Sequence, residues 1–417
     1  MTATDRPGLA GGEPGFPVAL YIHVPFCVSL CPYCDFVVYA GAAARGPRNR
    51  IAPLLAALEA ELELRADVLD AGGSAAGRAA LETVYIGGGT PSLLAPAAVA
   101  RILERVRARF GLSADAEVTL EANPGADERG DPAAWRDAGV NRLSLGAQSL
   151  DLDELRRLGR RHRPADVGAA VAEARAAGIG SISLDLLYDV PGSTRASWRA
   201  TLDTALELGP DHLSLYALTL DDPAAEGLTG PGGDHLPTTA GARRWRDRSR
   251  GEQDEDLAAE QYGHAVERLA AAGWRGYEIS NWARPGHESR HNLVYWNRRP
   301  YEAIGPGAHA FDGATRRWNA ARLDGYVAAL VPVDGSRRHL PPGGSETVDP
   351  TTAAAERIIL GLRTDRGVPR AAAADPPLAG VATWAVAGGL LEATADDRLV
   401  LTTRGRLLSN EVFRRLL

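Results

Sequence analysis

The chain contains no lysine; all 46 of its basic residues are arginine, which together with 46 glycines and abundant alanine reads as a GC-rich coding bias. Acidic residues outnumber them and leave a net charge of -7, which argues against nucleic acid as a partner, since bulk binding needs a positive field. Local arginine clusters can still hold phosphate or carboxylate groups. No apolar run approaches the roughly 20 residues that span a bilayer. The first residues lack the cationic start and unbroken apolar stretch of a secretory signal, so a cytoplasmic protein is expected. Methionine occurs once, at position 1. Cysteine is scarce as well: only Cys27, Cys31 and Cys34 are present, all within eight positions. Their odd number, in a reducing setting, excludes a disulfide framework.

What is present is ordinary globular composition, 45% hydrophobic and 24% charged over 417 residues, enough for one large domain and one small one. Residues 1–17 are rich in glycine and proline and read as a loose tail. Apolar strand patterns then fall at 19–24, 83–86, 117–121, 142–145, 181–187 and 212–217. Helical periodicity fills the gaps at 51–69, 96–110, 151–158 with 165–176, and 197–208. Pro96 suits the first turn of its helix, where a missing N–H costs nothing. Repeated βα units without hairpin signals predict an α/β fold, a parallel sheet wrapped by helices, either open or curled toward a barrel. Such folds gather their chemistry at the carboxyl ends of the strands. Residues 221–253 break the rhythm and are expected to form an exposed loop before a helix at 256–272. A polar Pro/Gly linker is expected at 341–349, dividing a core of residues 18–340 from a tail at 350–417. In that tail 353–362 reads as helix, 398–401 as strand and 407–416 as a last helix, an α-rich, winged-helix-like module.

The first strand runs into Tyr21-Ile22-His23-Val24-Pro25-Phe26-Cys27-Val28-Ser29-Leu30-Cys31-Pro32-Tyr33-Cys34-Asp35-Phe36. Thiolates at C-x3-C-x2-C can wrap three corners of a [4Fe–4S] cubane and leave one iron open to another ligand. Two alternatives stand beside this: a zinc site with His23 as fourth ligand, or three buried thiols without metal. Gly87-Gly88-Gly89-Thr90-Pro91 follows the second strand, where backbone N–H groups free of side chains can approach a ligand, or simply make a tight turn. Glu121-Ala122-Asn123-Pro124 ends the third; Glu121 can accept from sugar hydroxyls or be a solvated charge.

The cysteine spacing, with an aromatic before the last Cys, resembles the radical S-adenosylmethionine (SAM) superfamily. Further stretches narrow the resemblance: Leu143-Ser144-Leu145-Gly146-Ala147-Gln148-Ser149, Ser183-Leu184-Asp185-Leu186-Leu187-Tyr188 and His212-Leu213-Ser214-Leu215-Tyr216. They are similar to the branch that holds the oxygen-independent coproporphyrinogen III oxidases and the HemW haem chaperones. The resemblance implies a (β/α)6 partial TIM barrel with a small C-terminal domain. It also implies a [4Fe–4S] cluster on the three cysteines and SAM contacts at Tyr21, Gly88, Gly89, Thr90, Glu121, Gln148, Arg160 and Asp185.

Within the branch, the oxidases carry a fourth Cys two residues past the third, where this chain has Phe36. His291-Asn292-Leu293-Val294-Tyr295-Trp296 matches the H-N-x-x-Y-W signature of the chaperones. A neutral imidazole is a good haem ligand, so the resemblance puts haem at His291, Asn292, Tyr295 and Trp296; a hydrogen-bonded structural histidine is the alternative. The expectation is a haem chaperone that uses cluster and SAM to transfer haem to acceptor haemoproteins, membrane-associated ones included, without coproporphyrinogen oxidase activity. The rival is that oxidase, for which Arg160, Arg161 and Arg163 are candidate holders of a tetra-anionic substrate. Two departures stand out. Asp189 occupies a position where relatives commonly have glycine, strained if φ is positive, and Ser289 replaces a cysteine found in several.

Overall fold

The protein is described from a computed structural model covering residues 15–44, 49–72, 78–221, 223, 226–333 and 335–417. Most of the expected N-terminal tail, residues 1–14, lies outside the described residues; Gly15 already docks, its N–H donating to Asp312 O at 2.7 Å.

Six strands, β1 (Ala19–Val24), β2 (Leu81–Gly88), β3 (Leu112–Ala122), β4 (Arg142–Gln148), β5 (Ser181–Tyr188) and β6 (His212–Ala217), lie side by side in chain order, all parallel. Between them run α1 (Ile51–Gly72), α2 (Pro96–Phe110), α3 (Pro132–Ala138), α4 (Leu152–Arg157), α5 (Pro164–Ala176) and α6 (Arg195–Glu207). The strand pleat sorts the residues. Leu20, Ile22, Val84, Ile86, Leu120, Leu143, Leu184 and Leu213 are buried in the main hydrophobic core. The alternate positions Tyr85, Glu121, Ser144, Asp185 and Ser214 line a cavity. Registers Glu121↔Ser144 and Asp185↔Ser214 hold these inner residues in a polar layer.

The sheet extends at both edges. Past β6 come β7 (Arg275–Gly276) and β8 (Asn281–Ala283); past β1 come β9 (Tyr301–Ile304), β10 (His309–Phe311), β11 (Thr315–Asn319) and β12 (Gly343–Thr347). In this sheet β1 pairs with β9 and β2, and β6 with β5 and β8, so the parallel strands form an incomplete barrel. Apart from β9, which is parallel to β1, these edge pairings are antiparallel and were not foreseen. Their strands are two to five residues long and lack a sustained alternation.

Two expectations need correction. The segment 221–253 is not simply an exposed loop: it contains α7 (Ala240–Arg250), capped by Thr239 Oγ1, before α8 (Glu255–Ala271). The buried stripe of α7 is Ala242, Arg246 and Ser249, which has helical spacing but no hydrophobic signal. The supposed linker at 341–349 is largely β12, paired to β11. The short α9 (Arg290–Trp296) and α10 (Leu323–Leu330) precede it.

The tail opens with α11 (Pro350–Arg363), capped by Asp349, and continues with α12 (Leu378–Ala387) beside a three-stranded antiparallel sheet. The expected last helix is two short ones, α13 (Thr403–Leu407) and α14 (Ser409–Phe413). This region has a core of its own around Leu362, Leu378, Leu399 and Val412. Among the described residues no helix is long and apolar enough to cross a membrane.

Candidate functional site

Cys27, Cys31 and Cys34 line a cavity of about 660 Å³ whose walls are the inner faces of the parallel strands. Their loop is held from two sides. Cys34 N donates to Cys31 O at 3.2 Å. From α7, Arg246 Nε donates to Pro32 O at 3.2 Å, and Nη2 to Tyr33 O at 3.2 Å and Cys34 O at 2.9 Å. Two donors point at sulfur: Thr90 Oγ1 lies 3.2 Å from Cys27 Sγ and Arg160 Nη1 3.6 Å from Cys31 Sγ. Burial pushes the Cys27 thiol up to about 11, and burial with the neighbouring thiols raises Cys34 further. Three crowded thiolates therefore need a strongly positive partner, and donors to sulfur suit an anionic iron–sulfur cluster, so the residues fit the cubane. They fit zinc less well. His23 spends one ring nitrogen on Val37 O at 2.9 Å and the other on Tyr21 Oη at 3.0 Å, and burial lowers it to about 4. It is a structural histidine, and no fourth ligand comes from it.

The glycine run serves packing rather than ligand approach. The N–H of Gly88 donates to Glu121 Oε2 at 2.8 Å, that of Gly89 to Val24 O at 2.9 Å and that of Thr90 to Phe26 O at 2.7 Å, so these amides are already used. A Cβ on Gly88, at φ +115°, would sit 2.4 Å from the His23 ring, and one on Gly89 would sit 2.7 Å from Phe26 O. Glu121 Oε1 accepts from Tyr85 Oη at 2.8 Å, and burial raises its carboxyl to about 7. Asp185 accepts from Ser144 at 3.0 Å and Ser183 at 3.3 Å, and burial raises it too. Gln148 closes β4 at φ +64° and faces the cavity. Arg160 is fixed by Asn123 Oδ1 at 2.5 Å and Gly146 O at 2.8 Å.

Of the expected SAM residues, then, Gly88, Gly89, Glu121, Gln148, Arg160 and Asp185 share the cavity with the cysteines. Thr90 is buried behind Cys27. Tyr21 departs from the expectation: it stacks on Tyr85 at 6.1 Å and lines a second cavity. Sequence reasoning passed over Arg246 and gave Asn123 no role. Asn123 Nδ2 joins Thr90 Oγ1 at 3.0 Å to Glu128 Oε2 at 2.7 Å.

The histidine signature forms α9, packed against the inner face of β2. Ser289 caps it, accepting from Asn292 N at 3.3 Å, which explains a hydroxyl at that position. Glu117 takes the N–H groups of Arg290 and His291 at 3.1 and 3.0 Å. His291 is 1% exposed. Its Nδ1 bonds Thr83 Oγ1 and its Nε2 bonds Tyr295 Oη, both at 2.7 Å, and burial lowers it to about 3. The i, i+4 spacing on a helix brings the tyrosine hydroxyl onto the imidazole. The expected haem ligand is thus, in this conformation, a neutral hydrogen-bonded structural histidine. Asn292 lines the main cavity, whereas Tyr295 and Trp296 line the second.

The arginines expected for a tetra-anionic substrate do not converge. Arg161 is paired with Asp127 at 2.9 Å and Glu128 at 3.0 Å, and Arg163 is an exposed residue at the start of α5. Asp189 does adopt the left-handed backbone, at φ +57°, with its carboxylate accepting from Gln253 at 3.1 Å.

Residues 21–205 match the model of the Radical SAM superfamily. The heme chaperone HemW of Mycobacterium tuberculosis (strain H37Rv) is 41% identical over 99% of this chain and 98% of its own length. HemW of Escherichia coli (strain K12) is 38% identical over 70% of each chain. The mitochondrial radical S-adenosyl methionine domain-containing protein 1 of Bos taurus is 36% identical over 88% of this chain and 79% of its own. Among solved structures, coproporphyrinogen III oxidase (HemN) from Escherichia coli superposes with a TM-score of 0.75 over 97% of this chain and 91% of its own, at 22% identity, and so shares the fold. With cysteines, barrel and near-full-length identity in agreement, the chain belongs to the radical SAM superfamily and, within it, to the HemW-like branch.

Proposed function

We propose that the protein is a haem chaperone: it binds haem and passes it to acceptor haemoproteins, with a [4Fe–4S] cluster on Cys27, Cys31 and Cys34 and SAM in the main cavity. The observation that carries this reading is the 41% identity to a heme chaperone across nearly the whole chain. Cys27, Cys31 and Cys34 would hold the cluster, which would supply a one-electron redox centre and an iron without a protein ligand for SAM to bind.

The chain's own residues do the rest. Thr90 and Arg160 donate to cysteine sulfurs and moderate their charge. Glu121 and Asp185 are cavity-lining acceptors for the ribose hydroxyls and amino N–H groups of SAM, and Gln148 adds a polar side chain to the same wall. Arg246 keeps the cysteine loop in one conformation by binding its carbonyls. The oxidase alternative is disfavoured by Phe36 in place of a fourth cysteine and by the paired state of Arg161.

The experiment is anaerobic reconstitution of the cluster, loading with haem, and mixing with an apo-haemoprotein. Appearance of the acceptor's own haem spectrum, faster than from free haemin, is the expected result. Turnover of coproporphyrinogen III to its decarboxylated product with SAM and an electron acceptor, without haem transfer, would reverse the assignment.

A further inference from the structure

Helix α7 carries five arginines and one aspartate in its 11 residues, on a chain whose net charge is -7. Arg246 is turned inward and holds the cysteine loop through the carbonyls of Pro32, Tyr33 and Cys34. The other four, Arg243, Arg244, Arg248 and Arg250, are exposed. The helix dipole accounts for Arg248 and Arg250, which sit in the last turn, and Arg250 is also paired with Asp247 at 3.0 Å. Neither reason applies to Arg244, one turn earlier. Arg244 and Arg248 are four residues apart on the helix, so their like charges repel across one face. Neither side chain has an ion pair or hydrogen bond among the described residues. Such a pair, kept at a cost and without an internal counter-charge, suits an external anion.

The place of this face in the molecule is a second, independent observation. Trp245, between Arg244 and Arg246 in sequence, is half-buried and donates from Nε1 to Arg157 O at 3.1 Å. Its ring packs against that of Tyr33, with centroids 6.4 Å apart. Tyr33 lies between Cys31 and Cys34 and lines the main cavity with them. Packed rings thus lead from the charged helix to the cysteine loop. All three cysteines of the chain are in that loop, and none is left to hold a second cluster. Electrons for the first must therefore come from another molecule. The outward face of α7 also lacks the apolar stripe with which a helix enters a lipid surface: besides its arginines it exposes Ala240, Gly241 and Asp247.

We propose that the exposed face of α7, centred on Arg244 and Arg248, is the docking surface for an acidic one-electron carrier protein, bearing a flavin or an iron–sulfur group, that reduces the cluster on Cys27, Cys31 and Cys34. The carrier is oxidised by one electron and the cluster is reduced by one; no covalent bond forms between the two proteins. Arginines that meet the partner's carboxylates steer a fast, salt-sensitive encounter over a small interface, the class to which electron-transfer complexes belong. The inference rests on the cluster of the reading above and not on its haem.

The test uses full-length, cluster-reconstituted protein with two acidic carriers, a flavodoxin and a [2Fe–2S] ferredoxin, and with vesicles containing phosphatidylglycerol. Binding is followed by surface plasmon resonance, and reduction by the bleaching of the cluster's visible absorbance on mixing with reduced carrier. Retention of that absorbance before mixing checks the fold of each variant. Wild type should bind at least one carrier at low salt and release it as salt rises. The double variant Arg244→Glu with Arg248→Glu should bind it roughly tenfold more weakly and be reduced correspondingly more slowly. Dithionite, which needs no docking, should bleach wild type and double variant alike. The same charge reversal on α3, Arg136→Glu, should leave carrier affinity unchanged. Equal carrier affinity in wild type and the double variant, an equal loss from Arg136→Glu, or binding of neither carrier, whether or not the vesicles bind, overturns the docking surface and leaves the cluster reading standing. Reconstituted wild type without iron and sulfide strikes the cluster reading, and this inference with it.

Discussion

Serine in place of any one of Cys27, Cys31 or Cys34 substitutes a hydroxyl, a poor ligand for iron in a sulfide cage, for a thiolate. Each single variant should lose the broad visible absorbance of the reconstituted cluster; full iron and sulfide content in any of them would disprove the cubane. Glu121 gives a second residue-scale prediction. Burial holds its carboxyl near 7 rather than 4.5, so in the SAM-free protein the folded state binds the proton more tightly than the unfolded one. Its contribution to stability is therefore most favourable below pH 4.5 and falls as pH rises to about 7. Glu121→Gln should remove this fall from the urea-unfolding profile, and an unchanged slope would show that another group is responsible. SAM affinity should move the other way, rising as the ribose acceptor ionises. Gln148 is the third case: at φ +64° it sits in a region costly to any residue with a Cβ. Gln148→Gly should be about 1 kcal/mol more stable than Gln148→Ala, while both lose SAM affinity relative to wild type. What could be read of these residues in advance differed by range. The cysteine spacing is local and visible in the sequence, whereas a left-handed Asp189 was posed there only as a condition, from the glycine that relatives carry at that position. The fate of His291 depends on Thr83, 208 positions away, and on how α9 packs, which no local pattern records.

At the scale of elements, the six parallel strands were legible because each has an apolar face buried under helices, and the ends of β1 and β6 fall where the pattern put them. The edge strands were not, being short and half-polar, nor was α7, whose inward stripe of Ala242, Arg246 and Ser249 has an arginine at its centre. That arginine carries the element's prediction. Arg246 is 2% exposed and its guanidinium bonds backbone carbonyls of the cysteine loop. Arg246→Met keeps much of the volume but leaves those acceptors unsatisfied, at a cost of about 2–4 kcal/mol. The loop should then loosen, so iron should pass to a chelator several times faster than from wild type, as followed by the chelate's absorbance. Equal rates would show that the cysteine loop holds its shape without α7.

Across the whole molecule, a dense polar contact around Glu278 ties the tail to the barrel, beside the Glu356 pairs to Arg298 and Arg316. Glu278, fully buried, pairs with Arg363 of α11 at 2.8 Å and accepts from Ser280 N at 2.9 Å. The same guanidinium lies 4.2 Å from the centre of the Trp296 ring, and Arg275 reaches Asp365 at 2.5 Å. Arg363 and Asn410, both from the tail, line the main cavity, so the tail closes part of its wall. Polar docking of this kind left little trace in the sequence, where the tail reads as a separate module behind a linker. Removing Arg363 alone leaves the Glu278 carboxylate buried without its cation, which costs about 3 kcal/mol. Arg363→Met should therefore lower the urea midpoint strongly, whereas Arg363→Met combined with Glu278→Gln, which keeps an oxygen for Ser280 N, should recover much of the loss. That recovery is the signature of a coupled pair. Strictly additive losses in the double variant would mean that the tail is held by its apolar contacts and that the buried ion pair is incidental.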